Sequence, residues 1–175
     1  LKYQVKNKFT AIQIVNKPAS FVKILLPHEA ENYIFSLMTS KLSVSIIGPG
    51  RLGGTLALAA DAAGYAVPAL GARRETPVAR ELAGKLSAEL LLPQQAAGRA
   101  DAVFLCCGDD AIGQLCRDIA EKGGFRKGQF VIHCSGALES GELAAAEASC
   151  GCLTGSFHPL QTFPDMQAGL ARWVG

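Results

Sequence analysis

Apolar runs separated by amphipathic stretches set the pattern of the chain from residue 42 onward. Short runs rich in Val, Ile, Leu and Phe indicate strands, and apolar residues that recur every three or four positions indicate helices. Strands are predicted at 44–47, 66–70, 89–92, 101–107, 129–134 and 152–157. Helices are predicted at 52–63, 77–86, 111–122 and 141–149, with residues 94–98 as a connector. Strands and helices therefore alternate through this part of the chain.

The predicted strands lack the apolar–polar alternation of a sheet that has one face in water. Residues 103–106 and 130–132 are continuously apolar, as expected of strands that are buried on both faces. Strands that alternate with helices are typical of parallel sheets, because each crossover helix packs back onto the sheet. The sequence predicts an α/β fold with a doubly wound, mostly parallel sheet.

Residues 1–41 differ from the rest of the chain: they are rich in Lys, Asn, Ile and Phe and contain no glycine. Strands are predicted at 10–15 and 21–26, and a short helix at 29–38. No catalytic motif is found there, and His28 beside Glu29 is typical of a solvated surface pair. We expect 1–41 to be an extension of unknown role, either a disordered leader or an added sheet edge, and 42–175 to be the folded domain.

The most informative motif joins the first strand and helix of that domain. Gly48, Gly50 and Gly53 have G-x-G-x-x-G spacing, with Arg51 and Leu52 between the last two. In such a turn the first glycine permits the tight turn, the second lets a pyrophosphate approach, and the third lets the helix pack closely on the strand. Unpaired amides of the first helical turn then face the phosphates. Arg51 and Leu52 are therefore candidate cofactor-binding residues together with the three glycines, and the Arg51 side chain either contacts the pyrophosphate or faces water. A second strand about 20 residues further on favours a dinucleotide-binding turn over a purely structural one.

The end of the second strand indicates which dinucleotide is bound. An NAD-binding domain carries an Asp or Glu there, which binds the ribose hydroxyls. This chain has Arg73 and Arg74 instead, and guanidinium groups suit a 2′-phosphate. We therefore predict NADP rather than NAD. Glu75 leaves NAD open, since it is a candidate ribose ligand next to the arginines.

The fourth strand of the domain ends at Cys107 and Gly108, which are predicted to lie near the cofactor's ribose, since ligands bind at the carboxyl ends of strands. Asp109 and Asp110 follow directly. We expect them to cap the next helix, where the helix dipole favours negative charge, rather than to act in catalysis.

Bulk composition narrows the class of protein. A chain of 175 residues with 49% hydrophobic residues can bury one sizeable core. The formal net charge of +2 is too small to indicate a nucleic-acid or membrane partner, and no apolar run has the length of a membrane helix. We expect a cytoplasmic protein with a small-molecule substrate.

The chain has six cysteines. Cys106 and Cys107 are adjacent in a predicted strand, so their side chains must point to opposite faces. We interpret the cysteines as small buried hydrophobic residues and predict no metal site. A site made of Cys150, Cys152, His133 and His158 is the alternative, although a spacing of one residue between the two cysteines is unlike a zinc knuckle.

Two further motifs, His133-Cys-Ser135-Gly136-Ala-Leu and Gly-Ser-Phe-His158-Pro159-Leu-Gln-Thr-Phe, follow predicted strands. With the glycine turn, they resemble a bacterial family of Rossmann-like NAD(P)-binding oxidoreductases that have a helical C-terminal domain of unknown function. That family is related to ketopantoate reductase and 6-phosphogluconate dehydrogenase. The resemblance covers residues 42–163.

A more distant similarity to prephenate and arogenate dehydrogenases implies a mechanism. Those enzymes carry a His-Pro motif whose histidine engages the substrate hydroxyl and a Gly-Ser motif whose serine helps orient it. His158 and Ser135 match these positions and are the candidate catalytic residues. An imidazole is suited to taking up or delivering the hydroxyl proton. The alternatives are a structural histidine in a turn and a serine that caps a helix, and His133 is expected to bond internally.

The resemblance implies an NADP-dependent oxidoreductase, or its cofactor-binding domain, that acts on a small hydroxy or keto acid. The alternatives are a non-catalytic NADP-binding or sensor domain and a purely structural module. The family continues with its helical domain, which ordinarily closes the cleft and forms a homodimer in the full-length form. This chain stops at Gly175, so we expect it to be a fragment that lacks this domain.

Overall fold

The computed structural model describes residues 5–6, 9–13, 22–27, 42–159 and 162–174. Its strands are β1 Val5–Lys6, β2 Phe9–Gln13, β3 Val22–Pro27, β4 Val44–Ile47, β5 Ala69–Gly71, β6 Glu89–Leu91, β7 Ala102–Leu105, β8 Phe130–His133 and β9 Leu153–Pro159. Its α-helices are α1 Arg51–Ala62, α2 Pro77–Leu86, α3 Pro93–Ala97, α4 Asp109–Glu121, α5 Ala144–Cys150 and α6 Met166–Val174, and a 3₁₀ turn at Ser140–Leu143 precedes α5.

The strands form one sheet in the order β1-β2-β3-β9-β8-β7-β4-β5-β6. Strands β4 to β9 are mutually parallel. Numbered from β4, this part has the order 3-2-1-4-5-6 of the Rossmann dinucleotide-binding fold. The predicted doubly wound α/β fold is therefore confirmed.

The strands β1 to β3 extend the sheet at the outer edge of β9. Strand β3 runs antiparallel to β9, with Lys23 opposite His158. Of the two alternatives for the first part of the chain, an added sheet edge is the one that the described backbone shows. The helix predicted at 29–38 lies outside the described residues.

Apolar side chains cover both faces of the sheet, as the continuous apolar strands predict. Ile46 packs with Leu56 of α1 on one face. Its neighbour Ile47 packs with Leu105 and with Ile112 of α4 on the other face. Successive residues of one strand therefore belong to different cores, which is the arrangement of a parallel sheet buried on both sides.

Two predictions about the region from β5 to α3 are wrong in detail. The predicted connector contains helix α3, which has Pro93 in its first turn and a Gln95 side chain that accepts a hydrogen bond from the Leu92 amide at 3.2 Å. Strand β5 is shorter than predicted, since Ala66 forms only an isolated bridge to Ser43. Pro68, between that bridge and β5, has no amide to donate to a ladder.

Near the C-terminus, β9 is longer than predicted and helix α6 was not predicted. Strand β9 continues through His158 to Pro159. Helix α6 packs on α1, where the Thr55 hydroxyl oxygen lies 2.8 Å from the Arg51 carbonyl oxygen and 3.2 Å from the Met166 carbonyl oxygen, the two acceptors of its proton. A Cβ at Gly169 would lie 2.5 Å from Thr55 Oγ1, so the helices meet at van der Waals distance only because residue 169 is glycine. No helix in the described part of the chain is long and apolar enough to cross a membrane.

Candidate functional site

The glycine turn between β4 and α1 makes close contacts with the ends of the neighbouring strands β5 and β7. Gly48 has a φ of +91°, and its amide donates to the Gly71 carbonyl oxygen at 2.8 Å. A Cβ at Gly48 would lie 2.6 Å from the Cys106 carbonyl oxygen, and a Cβ at Gly53 would lie 3.0 Å from the Cβ of Cys106 and from Ile46 Cγ2. These two positions therefore have the roles that the motif predicts: a left-handed turn and close packing of helix on strand.

The second glycine of the motif faces open space. Gly50 is the N-cap of α1 and offers no side chain to the helix start. A Cβ at Gly50 would meet no atom within 4 Å. The amides of Arg51, Leu52 and Gly53 are the first of the helix, which have no intrahelical acceptor, whereas the Gly54 amide already donates to the Gly50 carbonyl oxygen at 2.7 Å. This helix start is suited to binding an anion.

A cleft of about 340 Å³ lies over this turn, at the carboxyl ends of β4, β5 and β7. Its lining includes Gly48, Gly50, Arg73, Arg74 and Cys107 from the predicted cofactor site. The order of the strands reverses between β4 and β7, and ligands of doubly wound sheets bind at this switch point. The structure therefore brings these predicted cofactor residues together at one cleft.

The other predicted cofactor residues lie beside the cleft. Gly53 is buried beneath the turn, and Gly108 is the N-cap of α4 directly after Cys107. The exposed Arg51 side chain lines a second groove, between α1 and α2. Leu52 packs partly buried against the core, so only its backbone amide is available to a phosphate.

Cleft residues that the sequence reasoning missed include Gly71, Thr76, Pro93 and Leu115. Gly71 could have been identified from the sequence, because a glycine at the end of the second predicted strand indicates close packing there. A Cβ there would lie 2.5 Å from Ile47 Cδ1 and 3.1 Å from the Cβ of Ala96. The other three belong to helices α2, α3 and α4 or their caps, and only the fold brings them to the cleft.

The cationic wall of the cleft consists of Arg73 and Arg74, both exposed to solvent. Glu75, the candidate ribose ligand for NAD, binds Arg80 instead: Arg80 Nε donates to Glu75 Oε1 at 2.6 Å. The hydrogen bond and charge of Arg80 lower the pKa of the Glu75 carboxyl below its ordinary value. Glu75 is not among the residues that line the cleft.

The expectation that Asp109 and Asp110 cap helix α4 is wrong in one respect. The N-cap is Gly108, and no side chain accepts a capping hydrogen bond there. The two aspartates instead occupy the first turn of α4. There the favourable interaction is between their charge and the helix dipole.

The candidate catalytic motifs meet at the ends of two neighbouring strands. Strands β8 and β9 are parallel, with His133 opposite Ser156, so Ser135 and His158 follow at matching positions. The exposed imidazole of His158 lies over Gly136: a Cβ at that glycine would be 2.6 Å from His158 Nε2. The glycine of the Ser-Gly motif thus makes room for the histidine of the His-Pro motif.

Ser135 is buried and its hydroxyl oxygen accepts hydrogen bonds from the amides of Ala137 at 3.1 Å and Leu138 at 3.2 Å. The contacts fix the turn that follows β8. The described hydrogen bonds of Ser135 are therefore those of a turn-forming serine.

His133 bonds internally, as predicted. It is fully buried, its Nδ1 accepts from the Ser135 amide at 3.2 Å, and its Nε2 lies 3.1 Å from the Glu139 carbonyl oxygen. Since a carbonyl only accepts, Nε2 must carry the proton of a neutral imidazole. Burial lowers the pKa of His133 below 6.5, and the Glu139 carbonyl opposes this in part. The ring thus bonds to the Ser135 amide at the start of the Ser-Gly turn and to the Glu139 carbonyl oxygen at its end.

The cysteines are all free thiols. Cys106 and Cys107 pack against different cores, which confirms that they point to opposite faces. Cys150 and Cys152 donate to the carbonyl oxygens of Phe125 and Arg126, at 3.4 and 3.5 Å. Within the described residues, no group of three or more His, Cys, Asp or Glu side chains is arranged to hold a metal ion.

The strand order, the glycine turn and the cleft at the switch point are those of a Rossmann-like α/β domain. Residues 27–159 match the model of the Rossmann-like domain, and the chain belongs to this family. A search of curated proteins finds no match.

Solved structures provide further comparisons. A protein described as an NADP oxidoreductase from Bacteroides fragilis is 27% identical, with a TM-score of 0.59 over 73% of this chain and 46% of that chain. An imine reductase variant from Myxococcus stipitatus, in complex with NAD⁺, is 22% identical, with a TM-score of 0.52 over 67% of this chain and 40% of that chain. A pyrroline-5-carboxylate reductase from Coxiella burnetii is 16% identical, with a TM-score of 0.53 over 75% of this chain and 54% of that chain. The last two share the fold, and the chain spans about half the length of these proteins or less.

Proposed function

We propose that this chain binds NADP(H) and is an NADP-dependent oxidoreductase, or the cofactor-binding domain of one. The observation that carries the proposal is the cleft that joins the open glycine position, the uncapped start of α1 and two arginines. Similarity to a protein described as an NADP oxidoreductase supports the class of activity.

The preference for NADP over NAD rests on charge. Arg73 and Arg74 line the cleft, whereas the neighbouring carboxylate, Glu75, is bound by Arg80. A 2′-phosphate adds negative charge that guanidinium groups bind and a free carboxylate would repel. Arg73 and Arg74 would hold this phosphate, while the amides at the start of α1 would hold the pyrophosphate.

For the substrate we propose a small hydroxy or keto acid, with His158 as the acid–base group. Bound NADP(H) would supply or accept the hydride. His158 is exposed on the same sheet edge as the cleft and packs on Gly136, so its ring is free to exchange a proton with a substrate oxygen. Ser135 would orient the substrate through the turn that it fixes. The relationship to ketopantoate reductase, the cytoplasmic setting and a homodimer of the full-length form stay predictions.

A non-catalytic NADP-binding domain is the second candidate. Two observations favour it: the Ser135 hydroxyl oxygen already accepts from two amides, and the chain covers 46% of the Bacteroides fragilis protein.

The two candidates are separated by measuring NADPH oxidation with a panel of small keto acids, for the wild type and for His158→Gln. The oxidoreductase proposal predicts turnover that falls by about 10²- to 10⁴-fold in the variant, the usual contribution of a general acid. Affinity for NADPH should be the same in both proteins, since His158 does not line the cleft.

Full activity of His158→Gln would contradict the proposed role of this histidine. Tight NADPH binding without turnover of any keto acid would favour the non-catalytic candidate.

A further inference from the structure

Two cysteine thiols lie in contact beside the candidate cofactor cleft. Cys106 directly follows β7 and Cys134 directly follows β8, and these strands pair in parallel with Leu105 opposite His133. The two cysteines continue this register, and their Sγ atoms are 3.5 Å apart. Both are free thiols and both are partly exposed to solvent.

The position of this pair in the fold is specific. Cys106 lines the cleft and supports the glycine turn, since a Cβ at Gly53 would lie 3.0 Å from its own Cβ. The adjacent Cys107 points to the other face of the sheet, away from Cys134. Of the two neighbouring cysteines, only Cys106 can therefore reach Cys134.

We propose that Cys106 and Cys134 are a redox modification site that forms a reversible intramolecular disulfide on reaction with a peroxide. The two sulfur atoms need to approach by about 1.5 Å to reach the bond length of roughly 2.05 Å. Neighbouring strand ends bring the two side chains together already, so a change of side-chain rotamers supplies most of this movement.

The reaction has two steps. The first cysteine thiol attacks a peroxide oxygen and breaks the O–O bond; this gives a sulfenic acid and, with hydrogen peroxide, one water. The second thiol attacks the sulfenic sulfur, the S–S bond forms, and the hydroxyl leaves with the thiol proton as a second water. Two thiols are oxidised by two electrons, and one peroxide is reduced.

The surroundings of the pair affect the ionisation of Cys106. Contact with the Cys134 thiol and burial raise the pKa of Cys106 well above its ordinary value. Cys106 is therefore protonated at neutral pH. The disulfide requires only that the two sulfur atoms lie in contact, so either thiol can be the one that reacts first with the peroxide.

The test counts thiols after treatment of the full chain with hydrogen peroxide. The protein is denatured, labelled with N-ethylmaleimide and weighed by mass spectrometry, with and without a reductant. Two of the six thiols of the wild type should become resistant to labelling, and dithiothreitol should restore both. Cys106→Ser and Cys134→Ser should each keep all five of their thiols free of disulfide, while the control Cys107→Ser should still lose two.

Three results would overturn the proposal: six labelled thiols in the oxidised wild type, loss of two thiols in Cys106→Ser, or a disulfide between Cys150 and Cys152. Peptide mapping of the oxidised wild type identifies the linked cysteines directly and does not depend on any variant. Because no nucleotide is used, the outcome is independent of the proposed NADP binding.

Discussion

At the scale of single residues, Gly50 has a different role from the other glycines of the motif. Gly48 and Gly53 are required by the protein itself, because a side chain at either would collide with neighbouring atoms. Gly50 has a φ of −81°, which other residues adopt, and a Cβ there would meet nothing within 4 Å. A pyrophosphate needs the free space above Gly50. A substitution at this position is therefore expected to change nucleotide binding and not folding.

Replacing Gly50 by Val should therefore weaken nucleotide binding without unfolding the protein. The side chain would occupy the space of the pyrophosphate, and we expect affinity for NADPH to fall by more than about tenfold, or 1.4 kcal/mol. Calorimetric titration measures the affinity, and urea denaturation measures the stability.

The matched control is Gly84→Ala, since Gly84 is exposed in α2 and a Cβ there also meets nothing within 4 Å. It should raise the free energy of unfolding by about 0.5–1 kcal/mol and leave NADPH affinity unchanged. Unchanged affinity in Gly50→Val would mean that the turn is purely structural.

His133 makes the stability of the domain depend on pH. Its pKa in the folded chain is lowered by burial, whereas in the unfolded chain it returns to about 6.5. As the pH falls below about 6.5, the unfolded chain binds a proton that the folded chain does not, so the free energy of unfolding decreases. The stabilisation that neutral His133 provides is present above pH 6.5. It is lost as the pH falls towards the lower pKa that His133 has in the folded chain.

The prediction is tested by measuring the free energy of unfolding with urea at about pH 7.5 and 5.5, for the wild type and for His133→Gln. Glutamine does not titrate, so the variant should lose less stability than the wild type between these two pH values. Other titrating groups are common to both proteins and cancel in the difference. Equal losses would show that His133 is not the group responsible.

At the scale of helices and strands, hydrophobic pattern predicted most of the fold, because the parallel strands are continuously apolar and most helices are amphipathic. Helix α6 was missed because its position depends on Gly169 meeting Thr55 of a helix more than a hundred residues earlier. The extent of β9 likewise depends on pairing with β3. The position of α6 and the extent of β9 both depend on contacts between residues far apart in the sequence. A local hydrophobic pattern does not predict such contacts.

The same limit applies to the candidate site. The glycine turn was readable because its spacing is local. The approach of His158 to Gly136 follows from the register of β8 and β9, with His133 opposite Ser156, and the sequence alone does not set that register. Whether a polar residue such as Ser135 faces a ligand or its own backbone also depends on the folded turn.

At the scale of the whole molecule, the order of the strands makes the cleft. The chain winds outward from β4 to β6 in one direction and from β7 to β9 in the other. The connections that follow β4 and β7 therefore lead to helices on opposite faces of the sheet, and a crevice is left between them. The arginines after β5 and the amides at the start of α1 face this crevice from two sides. The proposed recognition of NADP thus depends on the assembled sheet rather than on any one motif.

The most direct test of this account is a calorimetric titration of NADPH and NADH into the wild type and into an Arg73→Ala/Arg74→Ala double variant. Charge-assisted hydrogen bonds contribute about 1.5–3 kcal/mol, so the variant should bind NADPH roughly 10- to 100-fold more weakly and NADH almost unchanged. An Arg99→Ala/Arg117→Ala control, which removes the same charge outside the cleft, should bind both nucleotides like the wild type. Equal NADPH affinity in the wild type and the Arg73/Arg74 variant would contradict the assignment of the cofactor, and a wild type that binds neither nucleotide would contradict the function itself.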